Sequence, residues 1–544
     1  MKKTLFTIAI SYLSLSNSLY SQDKYFVKFT DKNSSPYSID NPSEYLSTRA
    51  IERRTKQGIG ITTDDLPVNP SYVQLVQGTG AKVDYNLKWF NGVVATIATN
   101  NQLNAIQNLP CVSSTTQVFE SGTKGTKLFI DVQDVAPSDK KASTASTMLN
   151  YGNSYTQIKM SNGQSLHNNG FLGDGIEIAV IDAGFLEVNT HPAFDSLRTR
   201  GRILGTKDFI NPNSNIYQEH SHGMMVLSTM GGYIGGQLIG TAPHAKYWLI
   251  RTENADIEQI YEEYAWAAGA EFADSAGADI INTSLGYTTF DVASQNHSYN
   301  DLNGNKTVIT KAANTAASKG IVVVVSAGND GTTSWQYISA PADSPDVLTV
   351  GAVDRNRNKA SFSSIGPAAD GRTKPDVCAM GQGSIVATEE GSIGSANGTS
   401  FSSPIMAGML ACLWQAKPQL SARELISLVK ANSNLANSPN NSIGYGIPDF
   451  ASLTDINANT IDSNEIGIYP NPFSKTLTVH LSSFAEGNAE YSIISVLGAT
   501  LWSNRSDVTN HQFRMELPSS IPNGSYIVKV CAGSMTFFAK AIKN

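Results

Sequence analysis

The stretch Asn397-Gly398-Thr399-Ser400-Phe401-Ser402-Ser403-Pro404 decides how this 544-residue chain reads. A glycine turn and a serine lead into an apolar run from Ile405 to Trp414, with Pro404 in the first turn, where its missing N–H costs nothing. The pattern predicts a helix with Ser400 at its N-terminus, where orphan amides and the positive dipole end favour an oxyanion. Alone, a serine in that place is ordinarily a cap. Three other segments change the reading.

Ile176 to Phe185 (Ile-Glu-Ile-Ala-Val-Ile-Asp-Ala-Gly-Phe) is a short apolar run bounded by Gly173-Asp174-Gly175, the pattern of a buried parallel strand. Asp182 lies at its carboxyl end, where open α/β sheets carry their sites. Glu219-His220-Ser221-His222-Gly223-Met224-Met225-Val226 opens an apolar helical stretch, and Ile321 to Asp330 is a β-branched strand ending in a turn with Asn329. Serine hydrolysis needs a nucleophile, a base titrating near neutrality, an orienting carboxylate and oxyanion donors. Asp182, His222, Asn329 and Ser400 supply all four.

These segments, together with Ile281-Asn282-Thr283-Ser284-Leu285-Gly286 and Pro341 to Val353, resemble the subtilisin-like serine peptidases, the subtilases, over roughly Tyr151 to Leu453. The resemblance implies an α/β fold with a mostly parallel sheet and helices on both faces. It makes Ser400 the nucleophile, His222 the general base and then acid, and Asp182 the residue that holds the imidazole. Asn329, with the Ser400 N–H, forms the oxyanion hole. Ser284, Leu285 and Gly286 become the substrate-pairing strand, with Asp330 at the rim of the first specificity pocket. No bulky charged residue is visible at that pocket's base in these segments, so large apolar side chains are the expected guests. His220 reads as a solvated loop residue beside the motif histidine.

Some positions depart from the family pattern. Met224 to Leu227 are bulkier than usual, and Ala193 stands where an acidic residue commonly serves a calcium site. Gln157 matches one other ligand position, and Asp301-Leu302-Asn303-Gly304-Asn305 lacks the turn glycine and closing glutamate of a calcium loop. The chemistry requires no cofactor, and a structural calcium is compatible with these motifs without being called for by them. No metal site is predicted.

Charged residues make up 16% of the chain and the formal net charge is -7, which argues against nucleic acid as a partner. Residues 1–21 read as a secretory signal peptide, and no later apolar run reaches the length of a membrane span. The four cysteines have no metal-ligand spacing; Cys412 reads as a small buried hydrophobe, with a bridge to Cys378 as the alternative. Residues 22–143 mix strand and helix patterns, a small α+β unit placed like the inhibitory propeptide of subtilases. Its cluster of Arg49, Arg53, Arg54 and Lys56 reads as a solvated helix face. Ala136 to Ser154, rich in Ser, Thr and Lys, is where an exposed processing loop is expected.

In the peptidase-like region, 152–453, the helical stretch Glu258 to Ala276 carries an acidic run that reads as solvent-facing. A polar linker is expected at 454–465. Residues 466–544 then show short alternating runs with turn signals, a β-sandwich pattern. Tyr469-Pro470-Asn471-Pro472-Phe473 and Gly524 to Val530 resemble the type A sorting domain of the type IX secretion system. The expectation is a secreted serine endopeptidase that works through an acyl-enzyme and is made as a zymogen. Its partners would be protein or peptide substrates, its own propeptide and the secretion machinery. The alternatives are a catalytically silent surface-binding protein on the same fold, and an esterase or amidase.

Overall fold

A computed structural model describes residues 22–125, 132–134, 149–453, 466–481, 487–495, 499–509, 512–533 and 535–544. The signal-peptide reading of 1–21, most of the expected processing loop and the 454–465 linker lie outside the described residues. The chain forms two units that divide between Thr454 and Asp455.

The first unit opens with an antiparallel sheet of four strands, Lys82–Leu87, Gly92–Ile97, Asp23–Phe29 and Val112–Phe119 in spatial order. Strand alternation sorts its side chains to two faces. Val27, Phe29, Val93 and Ala95 pack under the domain's own helices, while Phe26 and Val94 face the next domain. Helix α1 (Thr48–Lys56) starts at Ser47, whose hydroxyl accepts from Ala50 N.

The catalytic region holds seven strands: β1 (Glu177–Asp182), β2 (Ile203–Asp208), β3 (Lys246–Arg251), β4 (Ile280–Thr283), β5 (Val322–Ser326), β6 (Leu348–Val353) and β7 (Val377–Met380). Their order is β7-β6-β5-β4-β1-β3-β2, and every pairing is parallel. β1, β4, β5 and β6 are buried throughout, which is why their sequences are apolar runs rather than alternations. The sequence reading missed two strands: β2, whose exposed Thr206 and Lys207 dilute the apolar signal, and β7, which is only four residues long.

Helices cover both faces. α2 (His222–Gly231) packs on one face; α3 (Tyr261–Ala276) and α4 (Val308–Ser318) pack on the other. On the α2 face, α5 (Thr399–Ala416) crosses β4 to β7, buried from Thr399 to Trp414. Met224 to Leu227 fill the core between α2 and its neighbours, so the bulkier residues there are packing residues.

Two charged runs are not solvated as their sequences suggest. α1 docks on the carboxyl-terminal end of α3. Arg53 Nη2 donates to Asp274 Oδ1 at 2.6 Å, Arg54 bridges Asp274 and Asp65 at 2.8 Å, and Lys88 Nζ reaches Asp274 at 3.0 Å. Arg53, Arg54, Asp65 and Asp274 are all buried. Glu271, on the same helix, accepts from Lys88 N and Trp89 N. Gly277 ends α3 in the left-handed conformation (φ 99°), and a Cβ there would come within 2.8 Å of Arg49 Cβ. A helix face covered by another domain carries the same charge pattern as a wet one, provided the partner supplies opposite charges.

The second unit is a β-sandwich. Its three-stranded sheet (Ile466–Tyr469, Thr476–Leu481, Gln512–Glu516) and four-stranded sheet (Thr500–Val508, Gly487–Ser495, Gly524–Ala532, Met535–Lys543) share one core of Leu477, Val479, Tyr491, Ile493, Val528 and their neighbours. The sequence reading missed Thr500–Val508, an edge strand whose exposed polar residues hide its alternation.

Candidate active site

Because β4, β1 and β3 lie side by side and run the same way, the residues that follow them meet at one edge of the sheet. Ser284 follows β4, Asp182 ends β1 and Glu253 comes two residues beyond β3. One strand further out, Ala327 to Asp330 follow β5. His222, Glu253, Glu258, Ser284, Leu285, Gly286, Asn329, Asp330, Ser339 and Ser400 line one cleft of about 150 Å³.

α2 brings His222 to Asp182. Gly223 permits the approach: a Cβ there would press on the Gly184 carbonyl and stand 2.9 Å from Asp182 Cβ. His222 Nδ1 and Asp182 Oδ1 are 2.7 Å apart, and Ala183 N donates to the same oxygen at 2.8 Å. Burial opposes a charge on His222, but the Asp182 carboxylate and its hydrogen bond outweigh burial, so the imidazole titrates above its ordinary value. His220 is half-buried rather than solvated. Its Nδ1 accepts from His222 N at 3.2 Å, and burial, with His222 beside it, lowers its pKa.

Ser400 is the second residue of α5 and is 8% exposed. Its Oγ donates to the Ser284 carbonyl at 3.3 Å, while Ser284 Oγ donates to the Ser400 carbonyl at 2.8 Å. Asn329 Oδ1 accepts from both Thr399 N and Thr399 Oγ1 at 2.9 Å. That fixes the amide so that Nδ2 is its outward donor. Asn329 Nδ2 and Ser400 N each stand 3.6 Å from the place a Cβ on Gly398 would take, so the glycine keeps open the space on which both donors converge. The arrangement can receive an oxygen that gains negative charge.

Thus Asp182, His222, Asn329, Ser400, Ser284, Leu285, Gly286 and Asp330 come together. Asp330 is partly buried, and burial raises its carboxyl pKa. Glu253 and Ser339 went unnoticed in the sequence, and Glu258, read there as solvent-facing, instead lines the cleft. Their signal was positional: Glu253 follows the strand beside that of Asp182, but the strand order was needed to see it. Ser339 Oγ is buried, has no hydrogen-bond partner among the described residues and faces Gly286, where a Cβ would clash with it.

The residues weighed for calcium have other partners. Gln157 pairs with both backbone groups of Ile385, and Asp301 is held by Lys306 and Ser298. Cys378 and Cys412 are free thiols turned to different carbonyls, Ile443 and Thr241.

Comparison with known proteins matches residues 173–446 to the Subtilase family. Residues 24–128 match the Peptidase S8 propeptide domain of Bacteroidota, and residues 467–544 match a secretion system C-terminal sorting domain. The chain is 32% identical over 306 residues to serine protease AprX of Bacillus subtilis, covering 51% of this chain and 64% of the relative. It is 30% identical over 278 residues to subtilisin BL of Lederbergia lenta (50% and 89%), and 30% over 258 residues to subtilisin DY of Bacillus licheniformis (47% and 82%). With AprX at 64% and subtilisin NAT at 59%, the chain spans under two thirds of the length of several curated relatives. Among the described residues no helix is long and apolar enough to cross a membrane.

Proposed function

Because the chain belongs to the subtilase family, we propose that it is a secreted serine endopeptidase, made as a zymogen, in which Asp182, His222 and Ser400 form the triad and Asn329 assists the oxyanion. The observation that carries this reading is the 2.7 Å pairing of His222 with Asp182 in the cleft that also holds Ser400 and Asn329.

Asp182 keeps the proton on Nδ1 of His222, so Nε2 is the free base. With a peptide laid along Ser284 to Gly286, Ser400 leaves the Ser284 carbonyl and gives its proton to His222 as Oγ bonds to the peptide carbonyl carbon. The carbonyl oxygen becomes an oxyanion that accepts from Asn329 Nδ2 and Ser400 N. Collapse breaks the C–N bond, the departing amine takes the proton from His222, and Ser400 is left acylated. Water then gives a proton to His222 and attacks the ester; a second collapse frees the acid and returns the proton to Ser400.

The course of the chain leaving the N-terminal domain supports the zymogen reading. Gly125 lies against Asp256 and Ile257, and Val132–Asp134 pairs with Gly394–Ala396, just upstream of Ser400. The processing cut is placed in the Ser-, Thr- and Lys-rich stretch Ala136 to Ser154 that follows. The sorting domain supports export across an outer membrane by a type IX route.

A fluorophosphonate probe tests the reading. It should label processed wild-type protein and leave Ser400→Ala unlabelled. Absence of labelling in both would favour the silent surface-binding alternative. Labelling with ester hydrolysis but no peptide hydrolysis would favour the esterase.

A further inference from the structure

Resting on the peptidase reading of this cleft, we propose that Glu253 and Glu258 form an acidic specificity subsite. It would take the lysine or arginine side chain of the residue immediately upstream of the one whose carbonyl is attacked.

The placement follows from the sheet. Asn329 and Ser339 lie on one side of the Ser284-Leu285-Gly286 segment, beyond β5. Glu253 lies on the other, beyond β3, close enough to His222 for their charges to act on each other. An extended peptide paired with Ser284 to Gly286 points alternate side chains to opposite sides. If the residue at the scissile bond faces Asn329 and Ser339, its upstream neighbour faces His222 and Glu253.

The acidic side of the cleft is built, and no described cation pairs with its carboxylates. Glu253 is only 4% exposed; Oε2 takes one long bond, 3.4 Å, from the Tyr287 hydroxyl, and Oε1 has no donor among the described residues. The Glu258 carboxylate has no hydrogen-bond donor there either, although the Glu258 N–H is held by Asp291. Glu262 accepts from Asn254 N and Gln259 N, which pins the loop bearing both glutamates. Arg251 is nearby, but its guanidinium is engaged by Asp208, Glu219 and the carbonyls of Ala183 and Glu253. Buried carboxylates without a cation cost free energy that a substrate cation can recover. Gly125 of the N-terminal domain already runs against this loop, a Cβ there falling 2.7 Å from Ile257 Cα.

The charge state agrees with this. Burial, then the Asp182 carboxylate, pushes Glu253 up to about 7; burial, then Glu253 and Asp291, pushes Glu258 up to about 9. The groups facing them are Asp182, His222, Arg251, Tyr287, Glu262 and Asp291. The empty subsite therefore holds protons near neutrality, and an arriving cation displaces them. Preference for the cation should grow as pH rises from about 6 to 9.

The test uses the processed enzyme and N-acetylated peptides that differ only at that upstream position: lysine, norleucine or glutamate. Acetylation leaves the side chain as the only cation there. Lysine should exceed norleucine by roughly tenfold to a hundredfold in kcat/KM, with glutamate below both. The lysine-to-norleucine ratio should fall toward one in Glu258→Gln and in Glu253→Gln. Reading the ratio within each enzyme cancels any change in triad efficiency, and fluorophosphonate labelling certifies each variant's fold. Equal rates for lysine and norleucine, a ratio unchanged in both variants, or a preference confined to unacetylated peptides would each overturn the proposal. No cleavage of any peptide and no labelling would instead sink the peptidase reading itself.

Discussion

Helix α3 has buried acid near both ends, and the two ends are resolved in opposite ways. At its carboxyl-terminal end Asp274 meets Arg53, Arg54 and Lys88 from the N-terminal domain, so the charges are paired and hydrogen-bonded. Near its amino-terminal end Glu253, Glu258 and Glu262 face one another, and burial raises the pKa of all three. The paired cluster joins two domains. The second borders the cleft, and among the described residues no cation pairs with its carboxylates. The contrast sets acid whose cations come from another domain of the same chain, and which joins the two, against acid with no described cation beside a cleft, which is what the proposed subsite rests on.

The largest expected effect is that of removing the nucleophile. Ser400→Ala should lower turnover by about 10⁶-fold, because triad members act as a unit. It should also leave the chain at full length with the Arg53–Arg54–Asp274 cluster intact, which gel mobility and N-terminal sequencing would check. A processed Ser400→Ala chain would break the link between the cleft and the N-terminal domain.

Removing one partner of the paired cluster should come next. Breaking such a buried pair costs about 3–5 kcal/mol. The isolated N-terminal domain carrying Arg54→Ala should therefore inhibit processed enzyme at least about 100-fold less well than wild type. Equal inhibition would show that the apolar face around Phe26 and Val94 alone holds the domains together. Asn329→Ala should lower kcat about 10²–10³-fold with little change in KM, the scale observed for an oxyanion-hole donor in subtilisin itself. A change in KM alone would remove Asn329 from that role.

The smallest effect concerns pH and contrasts two residues of the joining interface. Burial would raise Asp274, but Lys88, Arg53 and Arg54 outweigh it and hold the carboxyl at about 2 against an ordinary 3.8. Its contribution is present above pH 3.8 and lost as pH falls toward 2. Glu271 goes the other way. Burial, against the charge of Lys88 and two backbone donors, leaves it at about 7 against 4.5. Its contribution is full below pH 4.5 and lost as pH rises to about 7. Thermal melts of full-length Ser400→Ala should thus peak between about pH 4 and 5, with on the order of 2 kcal/mol lost through Asp274 on the acid limb and at least as much on the alkaline limb, where Glu253 and Glu258 add to Glu271. Glu271→Gln should make the alkaline limb shallower and leave the acid limb unchanged, the remaining alkaline loss coming from Glu253 and Glu258; a wild-type profile level from pH 4 to 8 would contradict both assignments.

By itself the sequence determined the local elements and the motif set around Asp182, His222, Asn329 and Ser400. A strand buried on both faces has to be an apolar run, and a helix through the core has to be apolar around its whole circumference, so β1, β5 and α5 announce themselves. Edge strands such as Ile203–Asp208 and Thr500–Val508 do not, because one side of each meets water. Tertiary structure alone decided what the charges are for. Arg54 and Asp274 lie 220 residues apart, and no periodicity distinguishes a helix face covered by a domain from one covered by water. Glu253 drew no reading at all until the order β4-β1-β3 set it beside His222. A side chain's electrostatic environment depends on which distant segments exclude water from it, and only the folded chain brings those segments together.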